Sequence, residues 1–173
     1  LQGLDGERLA TELENLQKNG QLDQFGERSF TYWRNNSAAR DIMNFINDDI
    51  VNAFNQGDVF FFSGISLGVV HPHDRDKFWL FIKTLKAAGV KIGFDLNYRH
   101  QLWRSKAEAL EQFSLAFEVA DILLPGVDDF AAIFDLDDVE SIIEFFSRYH
   151  YQELVIKNGE KNVHCITPQG RSI

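Results

Sequence analysis

The sequence predicts an α/β fold in which helices cover both faces of a mainly parallel β-sheet. Strand and helix patterns alternate along most of the chain, and the connections between the predicted strands are long enough to contain helices. The predicted strands are almost entirely apolar, which is typical of strands buried on both faces of a parallel sheet. These observations together favour the α/β class.

Short apolar segments bounded by turn signals define the strands. The four strands of the predicted parallel sheet are residues 59–62, 90–94, 121–124 and 153–157. Two further strands are expected at residues 29–34 and 162–167. The regular alternation of strands and helices therefore begins at Asp58.

Apolar residues at helical spacing predict the helices. The predicted helices are residues 7–18, 42–54, 74–88, 105–118 and 138–148, with a short one after Val127. Ser105 and Glu108 have the spacing of a capping box, which indicates where the fourth of these helices begins.

Composition and charge exclude several functional classes. With 45% hydrophobic residues, including 16 Phe, the 173-residue chain is not disordered. Its net charge of −9 argues against a nucleic-acid partner, because binding phosphates requires a basic surface. No apolar run approaches the ~20 residues of a membrane span. The single Cys predicts a reducing compartment, so we expect a cytoplasmic location.

Ligands of parallel sheets bind at the carboxyl ends of the strands, so the residues that follow each strand are candidates for a site. The four candidate segments are residues 63–66, 95–99, 125–129 and 157–160. Asn97 and Arg99 have the chemistry to bind a carboxylate or a phosphate. The alternative is a turn in which Asp95 and Asn97 bond to the local backbone.

The other two charged segments also allow two interpretations each. Asp128 and Asp129 lie at a predicted helix start, where carboxylates cap free amides, or they provide an outer-sphere Mg²⁺ ligand. Asn158 and Gly159 form a typical hairpin turn, or with Lys157 they hold a nucleotide.

Tyr32 and Arg34 share one face of their predicted strand with Phe30, which suits an acidic, hydroxylated small molecule. The alternative is a surface strand with an aromatic stripe. His71 and His73 suggest a metal site, although the surrounding residues are typical of a loop and a helix cap.

Cys165 follows His164, but neighbouring residues of a strand lie on opposite faces. A buried structural cysteine is therefore expected rather than a nucleophile pair.

Four segments, taken in order, resemble the PfkB (ribokinase-like) carbohydrate kinases, and most closely their 2-keto-3-deoxygluconate kinase subfamily. The segments are residues 26–35, 63–67, 94–99 with 102–103, and 157–159. The Tyr-Trp-Arg of residues 32–34 and the Asp-Leu-Asn-Tyr-Arg of residues 95–99 are specific to that subfamily. The resemblance implies a ribokinase-like three-layer αβα sandwich with part of a small β lid. It implies one incomplete kinase domain, with a lid strand at about 27–35 and a core at about 42–173.

The resemblance also implies the activity: ATP- and Mg²⁺-dependent phosphorylation of the 6-hydroxyl of 2-keto-3-deoxygluconate. It implies that Tyr32, Trp33 and Arg34 bind the sugar acid, and that Arg99 bridges substrate and transferred phosphate. The residues implied in nucleotide binding are Asn97, Tyr98, Arg99, Lys157, Asn158, Gly159 and Lys161. Asp129 is implied as an outer-sphere metal ligand, and a homo-oligomer is expected to form through the lid.

The chain also departs from the family pattern. The Gly-Ala-Gly-Asp-like motif of the catalytic Asp does not occur before Ile173, and the N-terminal Gly-Gly and Asn substrate motif is absent. The Asn-x-x-Glu motif near the metal is residues 126–129 here, and Asn162 replaces a glycine. We therefore expect the central part of a longer kinase, with its general-base Asp beyond Ile173 and no turnover alone. Lid segments are expected between residues 20 and 21, so these two are not neighbours in the complete protein.

Three alternatives remain open. The first is another PfkB sugar kinase, such as a fructokinase, although a neutral sugar does not require the guanidinium of Arg34. The second is a catalytically inert fragment. The third is a metal-dependent hydrolase that uses His71 and His73.

Overall fold

The structure is a computed structural model that describes residues 37–173. Within these residues, six strands form a single sheet. The strands are β1 (Val59–Ser63), β2 (Lys91–Asp95), β3 (Ile122–Leu124), β4 (Glu153–Ile156), β5 (His164–Thr167) and β6 (Gly170–Ser172). They lie side by side in sequence order. Strands β1 to β4 are parallel, and β5 and β6 are each antiparallel to the strand before them. The predicted α/β class with a mainly parallel sheet is confirmed.

Helices precede and connect the parallel strands. They are α1 (Asp48–Phe54), α2 (Gly64–Val69), α3 (Arg75–Ala87), α4 (Lys106–Val119), α5 (Val127–Phe134) and α6 (Val139–Phe146), with 3₁₀-helices at Ala38–Asn44, Pro72–Asp74 and His100–Leu102. The helix predicted over residues 42–54 is divided in two, because the side chain of Asn47 accepts the amide of Ile50 and starts α1 there. Helix α2 lies where no helix was predicted from the sequence, and it begins there because Ser63 and Ser66 form a capping box.

The helices pack against one face of the sheet within the described residues. Phe62 and Phe94 are register partners, so their side chains lie on the same face. Phe62 contacts Phe78 of α3 at a ring distance of 5.3 Å, and Phe94 contacts Phe117 of α4 at 5.9 Å. On the opposite face Phe61 is 54% exposed. This part of the chain thus contains the sheet and one of the two helical layers that the sequence predicted.

Several predictions concern residues that lie outside the described range. They are the helix at 7–18, the expected discontinuity between 20 and 21, the lid strand at 27–35, and Tyr32, Trp33 and Arg34 within that strand. The boundary between lid and core, and an oligomer formed through the lid, stay predictions. Residues Ala38–Ile173 form one compact unit, in which no described helix has the length and apolar character needed to cross a membrane.

Candidate functional site at the carboxyl edge of the sheet

Charged side chains from three strand ends meet at the carboxyl edge of the sheet. Asp95 ends β2, and Lys157 directly follows β4. The Lys157 Nζ donates hydrogen bonds to both carboxylate oxygens of Asp95, at 2.7 and 2.8 Å. The backbone of Lys157 also pairs in parallel with Gly126, just before α5. The edge therefore joins the ends of β2 and β4 across β3, which lies between them in the sheet.

Asp129 connects this edge to the loop that follows β2. Its Oδ1 accepts the backbone N–H of Tyr98 at 3.1 Å and lies 3.7 Å from Nη1 of Arg99. Burial raises the pKa of Asp129 above its ordinary value, although Arg99 and Lys157 oppose the rise. Asp129 therefore does not cap its own helix, which was one of the two alternatives. It holds the loop that follows β2 instead. Asp128, beside it, is exposed.

The loop after β2 presents Asn97, Tyr98 and Arg99. Asn97 has a φ of 32°, in the left-handed region that Asn tolerates better than most residues. The ring of Tyr98 packs edge-on against Phe113, 6.1 Å away. Arg99 donates from Nη1 to the carbonyl of Tyr98 at 2.9 Å, and its side chain is about half exposed, at 48%. The loop thus leaves a partly exposed guanidinium at the edge of the sheet.

The turn after β4 is a hairpin turn. The N–H of Lys161 donates to the carbonyl of Asn158 at 2.9 Å, and Gly159 has a φ of 54°. The chain then returns as β5, antiparallel to β4. Asn158 and Gly159 therefore form the hairpin turn that was one of the two interpretations. Their part in nucleotide binding, like that of Lys157 and Lys161, stays a prediction.

The pairing of Asp95 with Lys157 was not predicted from the sequence, in which Asp95 was expected only as a turn residue that bonds to local backbone. The signal that was available is a pair of opposite charges at the carboxyl ends of two strands of the same sheet. The polar segment after β1, in contrast, contributes no such group: Ser63 and Ser66 bond to each other at the start of α2.

The other candidate groups do not form sites. The rings of His71 and His73 stack at 4.9 Å, and each lies within ion-pair distance of a different carboxylate, Asp41 or Asp74. No three His, Cys, Asp or Glu side chains within residues 37–173 are grouped so as to hold a metal ion. The hydrolase alternative therefore gains no support from the described part of the chain.

Cys165 is half-buried opposite Val155, whereas His164 pairs with Arg171 at 2.9 Å. The thiol and the imidazole stand at successive positions of β5, on opposite faces of the sheet. They do not form a nucleophile pair.

The family model for the pfkB family carbohydrate kinases matches residues 16–173. The chain belongs to this family. The 2-dehydro-3-deoxygluconokinase of Escherichia coli (strain K12) is 33% identical over 144 residues, which cover 80% of this chain and 45% of that protein. The fructokinase of Vibrio alginolyticus is 28% identical over 142 residues, which cover 82% of this chain and 44% of that protein. This pfkB-family chain thus spans less than half the length of these relatives.

A solved structure shares the fold. A putative ribokinase II from E. coli, in complex with ATP and Mg²⁺, superimposes with a TM-score of 0.69 at 21% identity, covering 85% of this chain and 46% of that one. The ribokinase-like fold that the sequence predicted is therefore confirmed.

Proposed function

We propose that this chain is part of an ATP-dependent sugar-acid kinase that phosphorylates the 6-hydroxyl of 2-keto-3-deoxygluconate. The observation that carries the proposal is the convergence of Arg99, Asp129, Lys157 and Asp95 at the carboxyl edge of the sheet. The 33% identity to the 2-dehydro-3-deoxygluconokinase of E. coli supports the choice of substrate. The product is the 6-phospho sugar acid.

Arg99 is the group at this edge best suited to a phosphoryl group in transfer. Phosphoryl transfer depends mostly on positioning and on neutralising charge, which a guanidinium does well. Both contacts of Arg99 within the described residues use Nη1. Nε and Nη2 are thus available to an anion, and two parallel donors suit a phosphate. Arg99 in this role bridges the sugar acid and ATP.

The carboxylate of Asp129 fits the needs of a Mg²⁺ ion that accompanies ATP. Mg²⁺ keeps most of its waters and takes few protein carboxylates, so one partly buried acid that acts through bound water suits it. Both carboxylate oxygens of Asp95 already accept hydrogen bonds from Lys157. Burial raises the pKa of Asp129, and a nearby cation favours its charged form. We propose Asp129 as an outer-sphere ligand, where the ion neutralises charge on the phosphates.

The nucleotide occupies the same edge in this proposal. Asn97 and Tyr98 lie beside Arg99, and the turn after β4 supplies Lys157, Asn158, Gly159 and Lys161. Lys157 is about 41% exposed, and its ion pair with Asp95 holds its ammonium at the edge. An exposed Lys161 adds a second positive charge.

A fructokinase is the second candidate, because the fructokinase of V. alginolyticus also matches most of this chain. The two candidates differ in the need for a cation opposite a carboxylate. Tyr32, Trp33 and Arg34 are proposed to bind the acid group. A neutral ketose lacks that group, so Arg34 separates the candidates.

The test is a coupled ADP-release assay on the intact kinase that contains this chain and on its Arg34→Ala variant, with 2-keto-3-deoxygluconate and fructose as acceptors. A hydrogen bond to a charged group contributes ~1.5–3 kcal/mol, so the KM for the acid should rise on the order of ten- to a hundredfold. The KM for ATP should not change. Arg148→Ala, which removes an equal charge from an exposed site over Phe145, is the control.

Turnover of fructose in preference to the acid would contradict the proposed substrate. So would an Arg34→Ala variant in which the KM for the acid and the KM for ATP rise equally. The 173 residues contain no Gly-Ala-Gly-Asp-like motif to supply a general base, so alone they should give no steady turnover.

A further inference from the structure

A buried charged network lies at the far end of the loop that carries Arg99, away from the carboxyl-edge site. Oε1 of Glu108 accepts hydrogen bonds from Nη1 of Arg75 at 2.7 Å and from Nε of Arg104 at 3.0 Å. Oε2 of Glu108 accepts the backbone N–H of Arg104 at 2.7 Å. The side chains of Arg75 and Glu108 are only 7% and 10% exposed. Nothing in the proposed chemistry uses these groups.

The network differs from the capping box that the sequence predicted. Ser105 does accept the N–H of Glu108, at 3.1 Å. The carboxylate of Glu108, however, reaches the N–H of Arg104, one residue before the N-cap. Glu108 therefore holds the last residue of the incoming loop as well as the first turn of α4.

Arg75 joins this network to two other parts of the molecule. Its Nε donates to the carbonyl of Leu67 in α2 at 3.4 Å, and its guanidinium lies 5.1 Å from the ring centre of Trp103. The desolvation cost of a buried ion pair offsets much of its attraction, so its main consequence is to fix geometry. The groups fixed here are α2, α3 and the end of the loop.

The apolar residues of the loop fit closely against α2 and α4. A Cβ atom at Gly68 would lie 2.7 Å from Cβ of Leu102, and the ring of Trp103 packs edge-on against Phe113 at 5.2 Å. At the other end of the loop, a Cβ atom at Gly64 would collide with the carbonyl oxygen of Leu96. Glycine at both positions lets the loop approach the helix this closely.

We propose that Glu108, held by Arg75, is a positioning residue that fixes the loop of residues 96–104 and so aims Arg99. The loop is held at its start by the bond from Tyr98 to Asp129 and at its end by the bond from Arg104 to Glu108. Arg99 lies between these two anchors. A loop held at both ends presents its guanidinium in few arrangements, which lowers the cost of binding a phosphate. The role of Arg99 in this step rests on the proposed function.

The first test measures amide hydrogen exchange in the intact kinase that carries Glu108→Gln. Glu111→Gln, on the exposed side of α4, is the matched control. Glutamine keeps an acceptor for the N–H of Arg104 but loses the charge that pairs with Arg75. The amides of Leu102, Trp103 and Arg104, which donate hydrogen bonds at this end of the loop, should exchange at least tenfold faster. The control should leave them unchanged.

Unchanged exchange in the loop, or an equal increase in β1 to β4, would overturn the proposal. Should Glu108→Gln not fold, Arg75→Lys keeps the positive charge and loses the fork that also reaches Leu67. It should give the same pattern with a smaller increase.

The second test asks whether Glu108 acts through Arg99. In a double-mutant cycle on the active enzyme, Glu108→Gln should lower kcat/KM at least tenfold when Arg99 is present and less than twofold in an Arg99→Ala background. Equal losses in both backgrounds would overturn the proposal, since they would indicate a general structural effect. Failure of the proposed function would appear differently, as no turnover of the sugar acid with the exchange result intact.

Discussion

The helix-covered face of the sheet and its carboxyl edge are built from opposite kinds of residue. On the covered face, Phe62, Phe94 and Leu154 are at most 3% exposed and lie in a continuous apolar core. At the edge, Asp95 and Lys157 are partly exposed and paired with each other. Burial of a large apolar side chain contributes roughly 1.5–3 kcal/mol, whereas an exposed ion pair contributes about 0–1 kcal/mol. We therefore expect stability to depend on the face and binding on the edge.

The largest effect is expected from a matched pair of substitutions in β1. Phe62→Ala removes a ring that packs against Phe78, Trp79 and Phe94, and it should lower the free energy of unfolding by about 3–5 kcal/mol. Phe61→Ala, one residue earlier on the other face, should cost less than about 1 kcal/mol because its ring is already half exposed. Urea unfolding of both variants measures the difference.

Equal losses for the two variants would show that the second face of the sheet is as well packed as the first. The comparison between face and edge would then have to include both faces.

The next largest effect on stability is expected from acid, which acts through the charged network of Glu108, Arg75 and Arg104. Burial alone raises the pKa of Glu108, but hydrogen bonds from Arg104 and Arg75 outweigh it and hold the pKa at about 2, below its ordinary value of 4.5. A depressed pKa in the folded state adds stability above the unfolded value, and this stability is lost as the pH falls from 4.5 towards 2. The loss should be about 1.5–3 kcal/mol, the value of a hydrogen bond to a charged group.

The measurement is the free energy of unfolding at several pH values between 5 and 2, for the native chain and for Glu108→Gln. The variant should be less stable at pH 5 and should lose less stability on acidification. Asp138, whose pKa is lowered by its bonds to Ser141, contributes to both curves and cancels in the comparison. Parallel curves would show that Glu108 does not carry this part of the pH dependence.

The sheet could be predicted from the sequence because its signals are local. The four parallel strands are short apolar runs, and each lies within a residue or two of its predicted bounds. What could not be predicted is which apolar residues the helices cover. Phe61 and Phe62 are the same residue type in the same strand, and only the packing of α3 and α4 separates them.

The candidate site shows the same limit. The sequence predicted which segments meet at the edge, because parallel strands present their carboxyl ends together. It did not predict that Lys157 pairs with Asp95 or that Glu108 bonds to Arg75, because each pair joins residues more than 30 positions apart. Strand β6 was also missed, since its three residues Gly170–Ser172 carry no apolar pattern.

The smallest effect on stability, with a clear effect on function, is expected from Arg99→Ala. The side chain is half exposed and its contact with Asp129 is long, at 3.7 Å, so the free energy of unfolding should change by less than about 1 kcal/mol. Loss of a charged donor to phosphate should lower kcat/KM on the order of ten- to a hundredfold in the active enzyme.

Arg99→Lys is the matched control, because it keeps the charge and loses the planar fork, so its activity should lie between those of the other two proteins. The measurements are the free energy of unfolding and kcat/KM on the same preparations of the three proteins. A variant that loses stability and activity in proportion would show that Arg99 supports the fold. It would contradict the expectation that stability depends on the covered face of the sheet and binding on its carboxyl edge.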